Sequence, residues 1–94
     1  MQDESLMEQY EPLFETRGMR VPLIMLPEGA QATVVRIHGG RGICRRLAEL
    51  GFNVGENVKM IKNHRPGPVL VEVKDSRMAL GRGVTMKILV EEDE

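Results

Sequence analysis

Short runs in which apolar and polar residues alternate dominate the chain between residues 20 and 90. Alternation over four to eight residues is typical of strands that bury one face. The runs that predict strands cover residues 21–25, 31–37, 57–62, 69–74 and 84–90. Pro22 places the first strand at an edge of the sheet, because proline cannot donate to a central ladder.

One stretch near the middle of the chain has helical periodicity instead. Its apolar residues recur at spacings that share one helix face, and they are Ile43, Cys44, Leu47, Ala48 and Leu50. Arg45, Arg46 and Glu49 point the other way. Gly51 follows this stretch, where a helix end favours the left-handed backbone that glycine adopts at little cost. Phe52 is expected to fold back over the last turn and cover the core.

The remaining turn residues complete the predicted fold. Residues 63–68 are dense in loop formers and join the third and fourth strands into a hairpin. Asp75 and Ser76 are suited to cap a single helical turn over residues 77–80. Short strands with glycine turns favour a sheet that curls closed, since closure removes exposed edges. The predicted fold is mainly β: a small, strongly bent barrel of about five short strands, plugged at one end by one short α-helix.

Length and composition limit the class of protein. Ninety-four residues make one domain, near the small end of those that fold alone. The single cysteine excludes an internal disulfide framework and fits a reducing compartment. The chain has no apolar run of the roughly 18 residues that a membrane span needs, and its acidic N-terminus is no signal peptide. We therefore expect a soluble, cytoplasmic protein.

The formal net charge of −1 hides an asymmetry along the chain. Residues 19–90 carry a net +7, whereas residues 1–18 and residues 91–94 each carry −4. A basic body favours an anionic partner, either an acidic protein surface or a nucleic acid. The competing interpretation is that the acidic ends only shield the body and keep it soluble.

Residues 1–19 form a predicted acidic N-terminal extension, frayed or partly helical. Apolar residues recur in it at helix-like spacing, namely Leu6, Met7, Tyr10, Leu13 and Phe14. Pro12 interrupts this pattern, because it removes a backbone donor and disfavours a helical residue before it. The extension is either a passive tail or a segment that docks on a partner or on the basic body.

The residue types offer little for catalysis or metal binding. Cys44, His38 and His64 lack the paired spacing of a metal site. Cys44 stands beside Arg45 and Arg46 in the first helical turn, a setting that favours a thiolate nucleophile. It also lies on the apolar stripe, where a small buried thiol is ordinary. We predict a protein that is not an enzyme and has no cofactor, with metal binding weak or adventitious.

Two possible binding signals in the sequence also have simpler interpretations. Residues 39–42 read Gly-Gly-Arg-Gly before the helix, and free N–H groups at a helix start attract anions. The segment lacks the Walker and dinucleotide patterns, so a tight strand-to-helix turn is the favoured interpretation. For nucleic acid the basic body is the only signal, because single-strand binders stack bases on aromatic residues and Phe52 is the one aromatic residue of the body.

An ordered series of short motifs carries a family resemblance. In chain order they are Leu26-Pro27-Glu28-Gly29, Val34 to Ile37 followed by Gly39-Gly40, Arg46-Leu47-x-x-Leu50-Gly51-Phe52-x-x-Gly55, Gly67-Pro68-Val69-Leu70-Val71 and Ala79-Leu80-Gly81-Arg82. With these motifs the chain resembles the FeoA family, small cytoplasmic proteins of the bacterial ferrous iron transport system. The resemblance covers residues 20–91 and leaves out the extension and an acidic tail over residues 92–94.

The resemblance implies a Src-homology-3-like (SH3-like) barrel and an accessory role without catalysis. In that role the protein binds and modulates the cytoplasmic GTP-hydrolysing domain of the membrane transporter FeoB, without inserting into the membrane itself. Similar domains form the C-terminal part of iron-dependent repressors of the DtxR type. The alternative is therefore a stand-alone SH3-like regulatory domain that senses metal or binds nucleic acid. Because no DNA-binding or dimerisation domain precedes the barrel in this sequence, we favour the accessory role, with a homo-oligomer left open.

A surface for the partner is predicted from expected exposure. Its residues are Arg45, Arg46 and Glu49 on the polar helix face, Phe52 at the helix end, and His64 and Arg65 at the hairpin tip. The competing interpretation is solvated surface for most of these residues. For Phe52 it is a place in the core.

Overall fold

A computed structural model describes residues 18–64 and 66–93 and gives the bounds of each element there. Its strands are β1 (Arg20–Pro22), β2 (Gln31–Ile37), β3 (Asn57–Lys62), β4 (Val69–Val73), β5 (Ser76–Leu80) and β6 (Ile88–Glu92). The helices are a 3₁₀ turn (Leu23–Met25), α1 (Arg41–Glu49) and the single-turn α2 (Arg82–Thr85). The predicted mainly β fold with one short helix is confirmed, although the described residues form six strands and not five.

All six strands of the described residues join one sheet in the order β1-β6-β2-β3-β4-β5. Every neighbouring pair is antiparallel. Pro22 belongs to the edge strand β1 and lies opposite Leu89 of β6. An edge position is expected for proline because it has no N–H to donate. The register shifts between β2 and β6 and again between β3 and β4. Such irregularities bend a strand and increase its twist, which suits a strongly bent sheet.

Alternating residues build the buried face of this sheet. In β4, Val69, Val71 and Val73 are buried, whereas Leu70 and Glu72 between them are half-buried. The other strands supply Val21, Ala32, Val34, Val58, Met60, Leu80, Ile88 and Val90 to the same core. Leu23, Leu26, Leu47 and Phe52 complete it from the 3₁₀ turn, the following loop and α1. Valine-rich alternation therefore locates the core correctly.

The end of α1 determines how the helix lies on the core. The Phe52 N–H donates to the Leu47 carbonyl (2.9 Å), and the Gly51 N–H donates to the Ala48 carbonyl (3.0 Å). This pair of bonds is the Schellman motif, in which the residue after the helix adopts a left-handed backbone. Gly51 has a φ of 103°, as predicted for glycine at this position. The motif folds Phe52 back, and its side chain is fully buried.

Residues 76–80 form a strand, so the predicted helical turn over residues 77–80 is wrong. The strand β5 pairs with β4 along its whole length. The two residues that join these strands, Lys74 and Asp75, have φ values of 51° and 64°. A two-residue loop with positive φ at both positions is the hairpin turn whose twist matches that of paired strands. Lys-Asp is not the usual sequence of such a turn, and β5 contains no β-branched residue, so neither signal appears in the sequence.

The first and last strands are shorter in the structure than the sequence pattern predicts. The first ends at Pro22, after which Leu23–Met25 forms a 3₁₀ turn closed by the Leu26 N–H on the Leu23 carbonyl (3.0 Å). The last begins only at Ile88. Residues 84 and 85 belong to α2 because their N–H groups donate to the Gly81 carbonyl (3.1 Å each). Because these two N–H groups already donate within the helical turn, they are not available to pair with a neighbouring strand.

Some predictions fall on residues that the structure does not describe. Residues 1–17 of the predicted extension over residues 1–19, including its apolar residues from Leu6 to Phe14, lie outside the described ranges. Arg65 of the predicted hairpin tip also lies outside them. The form of the extension and the role of Arg65 stay predictions.

Candidate functional site

The polar face of α1 presents three of the predicted contact residues together. Arg45, Arg46 and Glu49 are all exposed and lie within five consecutive residues of one helix. Arg45 and Glu49 are four residues apart and so are neighbours on the helix surface. Arg46 belongs to the last turn, where a cation interacts favourably with the free carbonyl groups. These three residues therefore form one mainly cationic surface.

Leu50 lies outside the core, contrary to its predicted place on the apolar stripe. Its side chain is 43% exposed, whereas Leu47, one turn earlier, is 2% exposed. Leu50 is the C-cap of α1, the position at which the chain leaves the helix. Gly51 then reverses the backbone, and Phe52 takes the buried position. Helical periodicity alone extends the stripe one residue too far because it ignores this reversal.

The loop after α1 adds a second exposed apolar residue. Val54 is 68% exposed, and it lies four residues after Leu50. Hydrogen bonds fix the loop: the Gly55 N–H donates to the Val34 carbonyl (2.7 Å), and the Glu56 N–H donates to the Asn53 carbonyl (3.0 Å). We call the following residues the helix-end surface: Arg45, Arg46, Glu49, Leu50 and Val54.

Phe52 is not available to a partner. Its side chain is 0% exposed and packs in the hydrophobic core. The prediction that Phe52 contacts a partner is therefore wrong, and the competing interpretation as a core residue is right. Its contribution to the helix-end surface is indirect, because it holds the helix end on the sheet.

His64 belongs to a second region of the molecule. It is exposed, and its Nε2 lies 3.5 Å from Oε2 of Glu28. Its carbonyl oxygen accepts a hydrogen bond from Nη2 of Arg82 (2.6 Å). These contacts connect the hairpin tip to α2 and to the loop after the 3₁₀ turn, and not to α1. The predicted contact residues therefore divide between two regions.

Sequence reasoning missed the network around Arg82. Nη1 of Arg82 donates to Oδ1 of Asn63 (3.0 Å), and Nδ2 of Asn63 donates to the Ile24 carbonyl (2.6 Å). The Asn63 N–H donates to Oε2 of Glu28 (2.8 Å). A groove of about 510 Å³ lies beside this network. We call it the methionine groove, and its lining residues are Pro22, Ile24, Met25, Asn63, Arg82 and Met86.

The groove could not be predicted from the sequence because its residues are far apart in the chain. Asn63 and Arg82 are separated by 19 residues, and Met25 lies further away still. Arg82 is the last residue of the motif Ala79-Leu80-Gly81-Arg82. This motif contributes to the family resemblance but does not indicate what Arg82 contacts. No local pattern links these segments, so only the fold brings them together.

Cys44 is the candidate thiol nucleophile and one of the candidate metal ligands. Cys44 is a free, half-buried cysteine whose Sγ lies 3.9 Å from the Gly39 carbonyl oxygen. Within residues 18–64 and 66–93, no group of three or more His, Cys, Asp and Glu side chains is arranged to hold a metal ion. None of the described helices is both long and apolar enough to cross a membrane.

Comparison with known proteins identifies the family. The family model described as "FeoA domain" matches residues 21–92. The chain belongs to the FeoA family. It is 42% identical over 73 residues to a protein named "Putative Fe(2+) transport protein A" from Methanocaldococcus jannaschii, an alignment that covers 78% of this chain and 88% of the relative. The family is thus named for iron transport and not for a reaction.

Solved FeoA structures have the same fold. A crystal structure of an iron uptake regulatory protein (FeoA) superposes with a TM-score of 0.75 at 30% identity, covering 79% of this chain and 99% of that one. FeoA of Stenotrophomonas maltophilia, solved with zinc, gives a TM-score of 0.65 at 35% identity over 73% of this chain and 87% of that one. The latter is described as a procaryotic SH3 domain protein. The predicted SH3-like fold is confirmed.

The fold also occurs in metal-dependent repressors. A manganese-dependent transcriptional repressor, solved with manganese, superposes with a TM-score of 0.72 at 19% identity. The match covers 78% of this chain but 36% of the repressor. At this identity the likeness shows the fold alone, and function has to be argued from the surface.

Proposed function

We propose that this FeoA-family protein is a non-enzymatic, cytoplasmic accessory of ferrous iron transport that binds and modulates the GTP-hydrolysing domain of an FeoB-type transporter. The contact is made by the helix-end surface. Family membership supports the connection with iron transport. The S. maltophilia relative is described as a candidate ferrous iron transport activating factor, which supports an accessory role. No resident cofactor is part of this proposal.

The observation that carries the proposal is the exposure of Leu50 and Val54 beside two arginines. Scattered exposed apolar residues are normal on a protein surface. Here two of them lie within five residues of sequence, and Leu50 follows Arg46 by four residues, the spacing of neighbours on a helix surface. Protein-protein interfaces have an apolar core and a polar rim, and arginine is enriched in them. The surface therefore suits a partner that offers a shallow apolar depression bordered by acidic residues.

The helix-end surface is held in place before any partner arrives. The two hydrogen bonds of the Schellman motif fix Gly51 and Phe52, and the Gly55 N–H fixes the next loop to β2. Phe52 anchors the same segment in the core. A surface that is already ordered loses little conformational entropy on binding. This rigidity supports its use as a docking site.

The charge distribution supports an acidic partner. Residues 19–90 carry a net +7, and three of the five residues of the helix-end surface are charged, two of them positively. Complementary charge raises the rate of encounter and makes it depend on salt. Association with the GTPase domain should therefore slow as the salt concentration rises.

Calorimetric titration of the full chain with the soluble GTPase domain, with and without guanine nucleotide, tests the proposal. Replacing both exposed apolar residues, in the variant Leu50→Asp/Val54→Asp, should weaken binding about tenfold or more, since central interface residues each contribute on the order of 1–2 kcal/mol. Arg46→Glu should weaken it as well, through both charge and contact. Neither change removes a core contact.

Matched controls are available elsewhere on the chain. Arg77→Glu makes the same charge change on the exposed β4–β5 hairpin, and Met86→Asp removes an exposed apolar residue from the methionine groove. Both should bind the GTPase domain like the wild type. Wild-type affinity in Leu50→Asp/Val54→Asp would reject the helix-end surface. No binding by the wild type, with salt-sensitive binding to DNA instead, would favour the regulatory alternative.

A further inference from the structure

The methionine groove is the second exposed apolar region of the described residues. Met25 and Met86 at its border are 44% and 61% exposed. Ile24 and Pro22 continue the apolar lining, and Asn63 and Arg82 supply its polar part. At about 510 Å³ the groove has room for large side chains. Flexible methionine side chains adapt well to such occupants.

Arg82 gives the groove a positive charge that forms no ion pair with a carboxylate of the described residues. Its Nη1 and Nη2 each make one hydrogen bond, to Asn63 and to the His64 carbonyl. Its Nε is buried and has no hydrogen-bond partner within residues 18–64 and 66–93. The ion pairs among the described residues are Arg20–Glu91, Lys74–Glu56 and Arg77–Glu72, and Glu28 lies beside His64. A half-buried guanidinium without a carboxylate favours an acidic ligand, since a buried charge is stable only when paired.

The nearest acidic side chain of this network is already in use. Oε2 of Glu28 accepts from the Asn63 N–H (2.8 Å) and lies 3.5 Å from Nε2 of His64. It therefore stabilises the hairpin tip, and it forms no ion pair with Arg82. A carboxylate for Arg82 could therefore be supplied by residues outside the described ranges.

The chain itself contains a segment with the required chemistry. Residues 1–17 hold five carboxylates against one arginine, a net −4. Among them stand five large apolar residues, Leu6, Met7, Tyr10, Leu13 and Phe14. A groove that combines apolar walls with an unpaired cation is complementary to this mixture.

The segment is attached close to the groove. It joins the described domain at Gly18, and Pro22, four residues later, already lines the groove. Seventeen residues reach about 55 Å when extended, at roughly 3.3 Å per residue. Attachment through so short a connection gives an effective concentration on the order of millimolar. Even weak contacts can therefore keep the segment bound to its own domain.

We propose that residues 1–17 dock in the methionine groove as an intramolecular ligand, with apolar side chains of the segment against Met25 and Met86 and a carboxylate on Arg82. The docked segment covers the apolar groove and leaves the helix-end surface open. The proposal is independent of the identity of the transport partner, because it concerns a different surface of the molecule.

Methyl NMR of the full chain, labelled with ¹³C at the methionine methyl groups, tests the docking. In the wild type, the methyl groups of Met25 and Met86 should show NOEs to the ring of Phe14 or Tyr10 or to the methyls of Leu13. Leu13→Asp/Phe14→Asp should remove these NOEs and shift both methionine signals. Met60, which is fully buried in the core, should keep its shift and report that the domain is intact.

A matched control separates apolar docking from charge. Gln2→Asp/Gln9→Asp adds the same charge to the segment without removing an apolar residue, and should leave the Met25 and Met86 signals in place. The proposal is overturned if the wild type shows no such NOEs and Leu13→Asp/Phe14→Asp leaves both signals unmoved. It is also overturned if the contacts disappear on dilution, which would identify the occupant as the segment of a second copy.

Discussion

At the C-terminal end of α1, apolar residues are buried on one side and exposed on the other. On the inner side, Leu47 and Phe52 are buried against the sheet. On the outer side, Leu50 and Val54 are 43% and 68% exposed. Both sides lie within eight residues of sequence, and the backbone reverses at Gly51, between Leu50 and Phe52. Residue type therefore does not decide burial here; the backbone reversal at one glycine does.

The inner side stabilises the fold and the outer side is free to bind. A fully buried aromatic residue contributes through area and packing contacts. An exposed leucine contributes little to folding but remains available to another molecule. The difference gives separate tests for the two sides, because stability should respond only to the first and partner affinity to the second.

The largest expected effect is on stability, from Phe52→Ala. Removing this fully buried ring should lower the free energy of unfolding by about 3–5 kcal/mol, the range for Phe→Ala in a core. Since small domains have about 5–15 kcal/mol in total, the variant should be close to unfolding. Urea denaturation followed by circular dichroism measures the change.

Leu50→Ala is the matched control for this prediction. It truncates the neighbouring exposed side chain, and its free energy of unfolding should stay within about 0.5 kcal/mol of the wild type. Similar losses for Phe52→Ala and Leu50→Ala would contradict the division of the helix end into inner and outer sides.

A smaller effect is expected from the glycine that divides the two sides. Gly51→Ala places a side chain at a φ of 103°, which costs about 1–2 kcal/mol in the left-handed region. The added Cβ would also lie 3.4 Å from Cδ of Lys74, a flexible side chain that can move. The free energy of unfolding should therefore fall by about that amount, measured by the same urea titration.

Gly42→Ala is the control within the same helix. Gly42 does not have a positive φ, and a Cβ added there would meet nothing within 4 Å. Alanine should be neutral or stabilising at this position, by up to about 0.5–1 kcal/mol, because it has the higher helix propensity. A loss of stability in Gly42→Ala as large as in Gly51→Ala would show that backbone conformation is not the cause.

Local signals in the sequence were enough for most of the fold. Valine alternation in β4 and the glycine at the end of α1 are both encoded within a few residues, and both predictions are confirmed. The hairpin turn at Lys74 and Asp75 was missed because two ordinary residues adopt positive φ there. That conformation is imposed by the pairing of β4 with β5 and not by residue preference.

The candidate site was only partly predictable. The exposed charged residues of α1 follow from helical spacing. Leu50, which was expected in the core, is exposed, and Phe52, which was expected to contact a partner, is buried. Asn63, Arg82 and Met86 meet through the tertiary fold, so no sequence window contains the groove. Patterns in a single sequence do not predict long-range contacts of this kind.

The central claim is that the helix-end surface meets the GTPase domain of an FeoB-type transporter. Hydrogen exchange of the full chain, with and without a saturating amount of that domain, tests it most directly. Slower exchange should be confined to the amides of residues 45–55, with the β4–β5 hairpin unchanged. Unchanged exchange over residues 45–55 in a verified complex, with protection at the hairpin or the groove instead, would contradict the claim.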